Sequence, residues 1–461
     1  MSLIKSISGI RGTIGGKPGD TLSPLDVVKF TSAFGAWLTE NTGSKKVVIG
    51  RDGRISGPMV SELVVQTLVA LGMEVVDLGL STTPTVEMAV VMEEAAGGII
   101  ITASHNPREW NALKLLNSKG EFISGEDGAA VLEKAAAESF SYASVDKLGS
   151  VRTDDQYLQK HLDAILAHEL VLADKVKAAN FKIVVDAINS TGAIFVPALL
   201  KALGVKEQNI IVLNGEVNGK FAHNPEPLPQ NLSQLSNEVN KRGAHLGIAV
   251  DPDVDRLVLV CEDGSMFGEE YTLVAVADYV LGKRKGNTVS NLSSSRALKD
   301  ITLKHGGNYY PASVGEVNVV RKMKEVDAVI GGEGNGGIIL PDLHYGRDAL
   351  VGIALFLTYL AESKKTVKQL RGTYPDYFIS KNKIELQQGI DLNGIFELLK
   401  KKYKSQPLNT EDGLRIEFDN DWVHLRSSNT EPIIRIIAES NFETTARNIA
   451  TRLMQDIKEF M

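Results

Sequence analysis

Asp251, Asp253 and Asp255 alternate in "AVDPDVDRL", directly after the apolar run "LGIAV". Three carboxylates this close in sequence repel one another unless a cation lies between them, and an all-oxygen ligand set without His or Cys suits Mg²⁺. Arg256, next in the chain, could hold a phosphate oxygen. A solvated acidic turn is the plainer alternative. The spacing also mimics a calcium loop with Glu262 at its twelfth position, but Arg256 stands where that loop needs glycine, and the following "LVLV" reads as a strand.

A second candidate group lies in "GGIIITASHNPREWNALK", where an apolar run gives way to Ser104, His105, Asn106 and Pro107, with Lys114 downstream. A serine hydroxyl is a weak nucleophile unless a base takes its proton or a phosphoryl group is already in place. No G-x-S-x-G elbow surrounds Ser104, so a hydrolase triad does not fit. By itself "SHNP" reads as a Ser or Asx turn closed by proline. Together with the aspartate loop it suggests a phosphoserine bound to Mg²⁺. A rival enzyme reading makes Asp251 itself the nucleophile, as in aspartyl-phosphate phosphatases of the haloacid-dehalogenase type.

Two further loops are rich in polar groups. "GGEGNGG" fits a dinucleotide fingerprint only in its glycines, because the β-rich "IILPDLHYG" follows where a helix is required. Glu333 and Asn335 read better as hydrogen-bonding groups for a polyol, with a flexible turn as the alternative. In "RSSNTEP", Arg426, Ser427, Ser428, Asn429 and Thr430 gather a guanidinium, hydroxyls, an amide and backbone N–H groups in one turn, a set suited to a phosphate dianion. Arg435 lies close behind and joins this phosphate-binding set.

These loops need strands to hold them. "KKVVIGRDGR", "GGIIITASHNP", "FKIVVDAINSTG", "HLGIAVDPDVDR" and "DAVIGGEGNGG" each run from a short apolar strand into a polar loop, and helical patterns lie between them. Ser23 caps "PLDVVKFTSAFGAWLTENTG" with Pro24 at the first helical position, and "GPMVSELVVQTLVALG" and "GAIFVPALLKALG" also close on glycine. Strands alternating with helices predict α/β domains with ligands at the carboxyl ends of the strands. After residue 373, strand alternation followed by an amphipathic helix predicts a smaller α+β domain. The divisions expected are 1–153, 154–256, 257–372 and 373–461.

Composition bounds the function. At 461 residues, with 43% apolar and 23% charged residues, 42 Gly and 15 Pro, the chain is ordinary for a multidomain α/β protein. There is no apolar run of about 18 residues to cross a membrane, and "MSLIKSISGIRG" lacks the apolar core of a signal peptide. The single Cys261 agrees with a reducing compartment, so a cytoplasmic location is expected. A net charge of -7 argues against general nucleic-acid binding while leaving room for basic pockets that take an anionic metabolite.

In combination these residues resemble the α-D-phosphohexomutase family, in the family's order: "SGIRG" at 8–12, "TASHNP" at 102–107 with Lys114, "DPDVDR" at 251–256, "GEGNGG" at 332–337 and "RSSNTEP" at 426–432. The resemblance implies a heart-shaped enzyme of three related α/β domains and a C-terminal phosphate-binding domain around one cleft. It implies interconversion of hexose 6-phosphates and 1-phosphates through a bisphosphorylated sugar, which is both intermediate and activator and turns around in the site. By motif, Ser104 resembles the phosphoserine, which with Asp251, Asp253 and Asp255 holds Mg²⁺. Arg11 and Arg256 resemble the groups around the transferring phosphoryl, Lys114 a proton-transfer group assisted by His105, and 426–430 the grip on the distal phosphate. Mobility of the last domain is expected from the distance in sequence between that grip and Ser104. The partner is a small sugar phosphate, and the assembly is expected to be a monomer or homodimer. Asn335, Gly336 and Gly337 depart from the Ser-Gly-His tail common in bacterial members. Glu316 in "SVGEVNV" adds a carboxylate that, with Glu333, could favour a 2-amino sugar. Glucosamine phosphate is therefore the first expectation and mannose or glucose phosphate the second.

Overall fold

The structure, a computed structural model, describes residues 2–6, 9–386, 390–427 and 433–460. A seven-stranded mixed sheet holds β1 (Ile4–Ser6), β2 (Gly9–Thr13), β3 (Lys46–Arg51), β4 (Glu74–Leu80), β5 (Gly97–Ile101), β6 (Trp110–Leu116) and β7 (Ser150–Thr153), in the order β1-β2-β6-β5-β3-β4-β7. Its central strands are apolar throughout because both faces are covered. Val47, Ile49, Ile99 and Ile101 enter one core with Phe30 and Phe34, while Val48 and Ile100 enter another with Val86 and Val90. The helix Pro24–Thr42 that covers the first face starts at Ser23 with a reciprocal capping box to Asp26 and stops at Gly43, whose φ of 70° is the left-handed cap.

The second sheet contains β8 (Ile183–Asp186), β9 (Ile210–Leu213), β10 (Leu246–Val250) and β11 (Leu257–Cys261), ordered β11-β10-β8-β9. The third contains β12 (Asn287–Asn291), β13 (Tyr309–Ala312), β14 (Ala328–Glu333) and β15 (Gly337–Ile339), ordered β13-β12-β14-β15. In all three sheets a parallel strand is followed by a loop and an antiparallel return strand: β5 to β6, β10 to β11, and β14 to β15. The Ser104 loop, the aspartate loop and the glycine-rich loop are those three connections.

The division expected at 256 is corrected here. Leu257–Cys261 pairs with β10 over its full length, so a cut after Arg256 would split a hairpin. The second and third sheets moreover share one continuous core, with Ile183, Ile248 and Leu259 packed in the same cluster as Val274, Phe356 and Leu357. The helices Glu269–Lys283 and Ala349–Ser363 are buried on nearly all sides for that reason. The last sheet is wholly antiparallel, with β16 (Phe378–Glu385), β17 (Leu408–Asn409), β18 (Leu414–Glu417), β19 (Trp422–Ser427) and β20 (Ile433–Ser440) in the order β16-β20-β19-β18-β17. It has its own core under the helices Leu392–Lys402 and Glu443–Phe460. Among the described residues no helix is long and apolar enough to cross a membrane.

Candidate active site

The Ser104 loop is held from below by a buried ion pair. Arg54 Nε meets Asp52 Oδ2 at 3.0 Å, and its terminal nitrogens donate to the carbonyls of Ser104 (2.5 Å), Asn106 (2.7 Å), Pro107 (2.7 Å) and Trp110 (2.9 Å). Thr102 Oγ1 donates to Asp52 Oδ2 at 2.7 Å and accepts from the Ser104 amide at 2.9 Å. A buried guanidinium is tolerable when all its donors are matched, as here. They fix Ser104 at φ 48°, a left-handed conformation that costs a non-glycine residue on the order of 1 kcal/mol and is kept because its surroundings leave no alternative. The sequence contained this anchor in "GRDGR", but nothing local announces that Arg54 reaches four carbonyls fifty or more residues away.

The aspartate loop faces it. Ser190 Oγ and Thr191 Oγ1 donate to the Pro252 carbonyl at 2.6 and 2.9 Å, and the Thr83 amide donates to the Asp253 carbonyl at 2.9 Å. Asp251 Oδ1 accepts from the amides of Asp255 and Arg256, both at 3.2 Å, while its Oδ2 accepts from Ser104 Oγ at 2.8 Å. The serine hydroxyl and the aspartate turn, 147 positions apart, are thus in direct contact. Asp253 Oδ2 accepts from Thr83 Oγ1 at 2.6 Å and from Lys114 Nζ at 2.7 Å.

Among the described residues, one carboxylate oxygen each of Asp253 and Asp255 remains buried without a hydrogen-bond partner, and the three aspartates present ligand oxygens within 4.8 Å of one another. A buried anionic oxygen left unmatched is costly. The set therefore fits a hard divalent cation. Charge separation within the triad agrees: burial, then the neighbouring Asp255 and Asp253, raise the pKa of Asp251. For Asp255 burial acts the same way but is outweighed by Arg347, Lys114 and Arg256, which hold its carboxyl well below the usual range.

Arg347, at the end of "LHYGR", is a site residue that the motifs did not reveal. Its guanidinium meets Asp255 Oδ2 at 2.6 Å, Glu333 Oε2 at 2.8 Å and Glu316 Oε2 at 3.0 Å. Glu316 and Glu333, expected from the sequence as a carboxylate pair that could favour a 2-amino sugar, are both buried against Arg347. Glu333 Oε1 also accepts from Asn291 Nδ2 at 2.8 Å and the Gly315 amide at 3.1 Å. Burial, the largest single influence on Glu333, would raise its pKa, but Arg347, Asn291, Arg256 and the Gly315 amide together outweigh it and lower it, whereas for Glu316 burial prevails and the pKa is raised. Asn335 folds back on its own turn, accepting from the Gly337 amide at 3.1 Å.

His105 Nδ1 lies 3.3 Å from Ser104 Oγ, and burial, then Arg256, lower its pKa so that the ring is neutral near pH 7. Arg11, on β2, reaches Asn106 Oδ1 at 3.5 Å, and Arg256 Nε lies 3.9 Å from both Asp251 and Asp255. On the last sheet Arg426 stands directly opposite Arg435, and Arg435 opposite Lys383 on the next strand. A row of cations across neighbouring strands is unfavourable by itself and suits an anion-binding surface. Asp412 meets Arg426 at 3.3 Å and accepts from the Val314 amide at 3.0 Å, tying this surface to the Glu316 loop. Ser427 ends β19, while Ser428, Asn429 and Thr430 lie outside the described residues.

Family models of phosphoglucomutase/phosphomannomutase match along the chain: α/β/α domain I at 3–142, domain II at 159–264, domain III at 268–377 and the C-terminal domain at 361–455. A Thermococcus kodakarensis protein named phosphoglucomutase/phosphomannomutase is 36% identical, over 95% of each chain. A Sulfurisphaera tokodaii phosphoglucosamine/phosphogalactosamine mutase is 30% identical over 99% of this chain and 100% of its own. The crystal structure of a phosphoglucomutase/phosphomannomutase family protein from Burkholderia thailandensis superposes with a TM-score of 0.84 at 26% identity, covering 99% of this chain and 98% of that one. With all four domain types matched in order, the chain belongs to the phosphoglucomutase/phosphomannomutase family of phosphohexomutases, enzymes that move a phosphate group within a sugar.

Proposed function

We propose that this enzyme interconverts glucosamine 6-phosphate and glucosamine 1-phosphate, with Ser104 carrying the phosphoryl group in transit. The observation that carries the chemical part is the 2.8 Å contact between Ser104 Oγ and Asp251 Oδ2. In the resting phosphoenzyme the phosphoryl group on Ser104 passes to one sugar hydroxyl: the new P–O bond to the sugar forms as the bond to Oγ breaks. The bisphosphorylated sugar turns over, and its other phosphoryl returns to Ser104. Lys114, fixed by Asp253, moves the proton of the reacting hydroxyl. Neutral His105 takes the proton from Oγ when the serine is phosphorylated. Arg11 and Arg256 neutralise the oxygens of the group in flight. Arg426, Ser427 and Arg435, with the 428–430 turn, hold the other phosphate, and one grip serves both sugar isomers. Mg²⁺ held by the three aspartates and Ser104 would supply further neutralisation of the phosphoryl oxygens.

For the sugar, Glu316 and Glu333, which both contact Arg347 beside the aspartate loop, supply the carboxyl groups that would pair with a 2-ammonium group. The relative named for phosphoglucosamine agrees. The relative named phosphoglucomutase/phosphomannomutase favours a second reading, with glucose and mannose phosphates as substrates. Side-by-side kinetics decide between them: the proposal expects the highest kcat/KM with glucosamine 6-phosphate, and a higher value with glucose or mannose 1-phosphate would replace it with the second reading.

A further inference from the structure

Away from the aspartate triad, three chain segments converge on one buried group. His161 comes from the helix Tyr157–Ala167, His344 and Asp348 from the loop that leads into the helix Ala349–Ser363, and Thr85 and Glu87 from the helix Thr83–Met92. His161 Nε2 lies 2.9 Å and His344 Nε2 lies 3.3 Å from the same oxygen, Asp348 Oδ2. The other oxygen of Asp348 is fully occupied as the helix cap, accepting from the Leu350 and Val351 amides at 2.8 and 3.3 Å. The three ligand atoms lie within 4.8 Å of one another.

The far sides of the two rings are as informative as the near sides. His161 Nδ1 meets Thr85 Oγ1 at 2.9 Å, and His344 Nδ1 faces Glu87 Oε2 at 3.4 Å. An oxygen holding the outer nitrogen while the inner nitrogens converge is how metal-ligating imidazoles are oriented. Glu87, which faces His344 at 3.4 Å without a hydrogen bond to it, is a second sign. It is 1% exposed, and neither of its carboxylate oxygens has a hydrogen-bond partner among the described residues; His344 Nδ1 lacks one too.

We propose that His161 Nε2, His344 Nε2 and Asp348 Oδ2 form a second metal site, distinct from the aspartate triad, for a divalent transition-metal ion of the zinc class. Two imidazoles and one carboxylate are the ligand types of zinc, whereas the oxygen-only triad is suited to a harder ion. Ligands about 2.1 Å from a tetrahedral ion lie roughly 3.4 Å apart, close to the 2.9 and 3.3 Å that separate the two imidazole nitrogens from Asp348 Oδ2, with the fourth position left for water. The ion displaces the hydrogens from the two Nε2 atoms. Each ring then carries its hydrogen on Nδ1, donated to Thr85 Oγ1 in one case and to Glu87 in the other. One divalent ion also balances the two buried carboxylates of Asp348 and Glu87. His344, 9% exposed, is the least buried of the three ligands. The site joins the first sheet's helix, the second unit's first helix and the third unit, and Asp348 is the chain neighbour of Arg347. Its role is to brace that arginine and the junction of the three units.

The test uses the full-length enzyme stripped with EDTA, incubated with Zn²⁺ in a large excess of Mg²⁺ and desalted. One zinc per chain is expected to stay bound, with the imidazole scattering signature in zinc X-ray absorption and a raised melting temperature. Asp253→Asn is expected to keep this zinc, His161→Gln to lose it, and Thr85→Val, which frees the outer nitrogen, to bind it about tenfold more weakly. Loss of zinc on desalting, an absorption spectrum without imidazole, or unchanged retention in His161→Gln would each overturn the proposal. The wild-type spectrum decides the matter even if a variant fails to fold.

Discussion

Arg347 sets one guanidinium against the buried carboxylates of Asp255, Glu316 and Glu333. Removing one member of such a set leaves buried charge without compensation, which costs about 3–5 kcal/mol. Arg347→Met is therefore expected to lower the unfolding free energy, read by denaturant titration, by that much and to abolish turnover. Arg347→Lys, with no planar fork to span three carboxylates, is expected to recover part of the stability but little activity. Glu270 offers a test by pH. Burial raises its pKa to about 8, against an ordinary value of 4.5. Between these two values the unfolded chain has released a proton that the folded chain retains, so this group makes stability fall as pH rises. Glu270→Gln keeps an acceptor for the Ser295 amide, now 2.9 Å from Glu270, and removes that slope. Its melting temperature is expected to exceed the parent's by more at about pH 8.5 than at about pH 5; an equal difference at both would count against the assignment. Residues whose chemistry is local in sequence, such as the alternating aspartates, could be read directly. Arg347 and Arg54 could not, because their partners are scattered along the chain.

At the level of elements, the helix Pro24–Thr42 was readable at both ends because its cap residues act within one turn. The strand-to-loop modules were readable too. The return strands were less so: β11 continues the second sheet, and nothing in "LVLVC" says which neighbour it pairs with, since pairing is decided by tertiary packing. The glycine-rich loop shows why its glycines are needed. Gly336 has φ 83°, and a Cβ there would run into the backbone of Leu257, whose amide donates to the Gly336 carbonyl at 3.0 Å. Gly336→Ala is expected to displace Glu333 and Asn335 from the site and to lower kcat/KM on the order of 100-fold, the scale of a 1 Å misplacement, with the fold retained by circular dichroism.

Across the whole molecule, the second and third units are fused through one core, whereas the last domain has its own. Several polar contacts join that domain to the third unit: Ser293 to His424 at 2.8 Å, Arg296 to Glu417 at 3.2 Å, and Lys381 to Glu269 at 2.6 Å. Contacts of this kind are easily exchanged with water, which is the pattern of a domain able to swing. Solution scattering is expected to show a smaller radius of gyration with saturating sugar bisphosphate than without; superimposable curves would contradict closure. Domain number was legible from the sequence, but the shared core was not, because it arises from helices buried on all sides.

In the proposed reaction one hydroxyl, Ser104 Oγ beside the aspartate turn, carries the phosphoryl group. Peptide mass spectrometry of the enzyme after brief exposure to a hexose 1,6-bisphosphate tests it most directly. One acid-stable phosphate is expected, on Ser104 and absent from Ser104→Ala; an acid-stable phosphate elsewhere, or a labile one on Asp251, would contradict this role for Ser104.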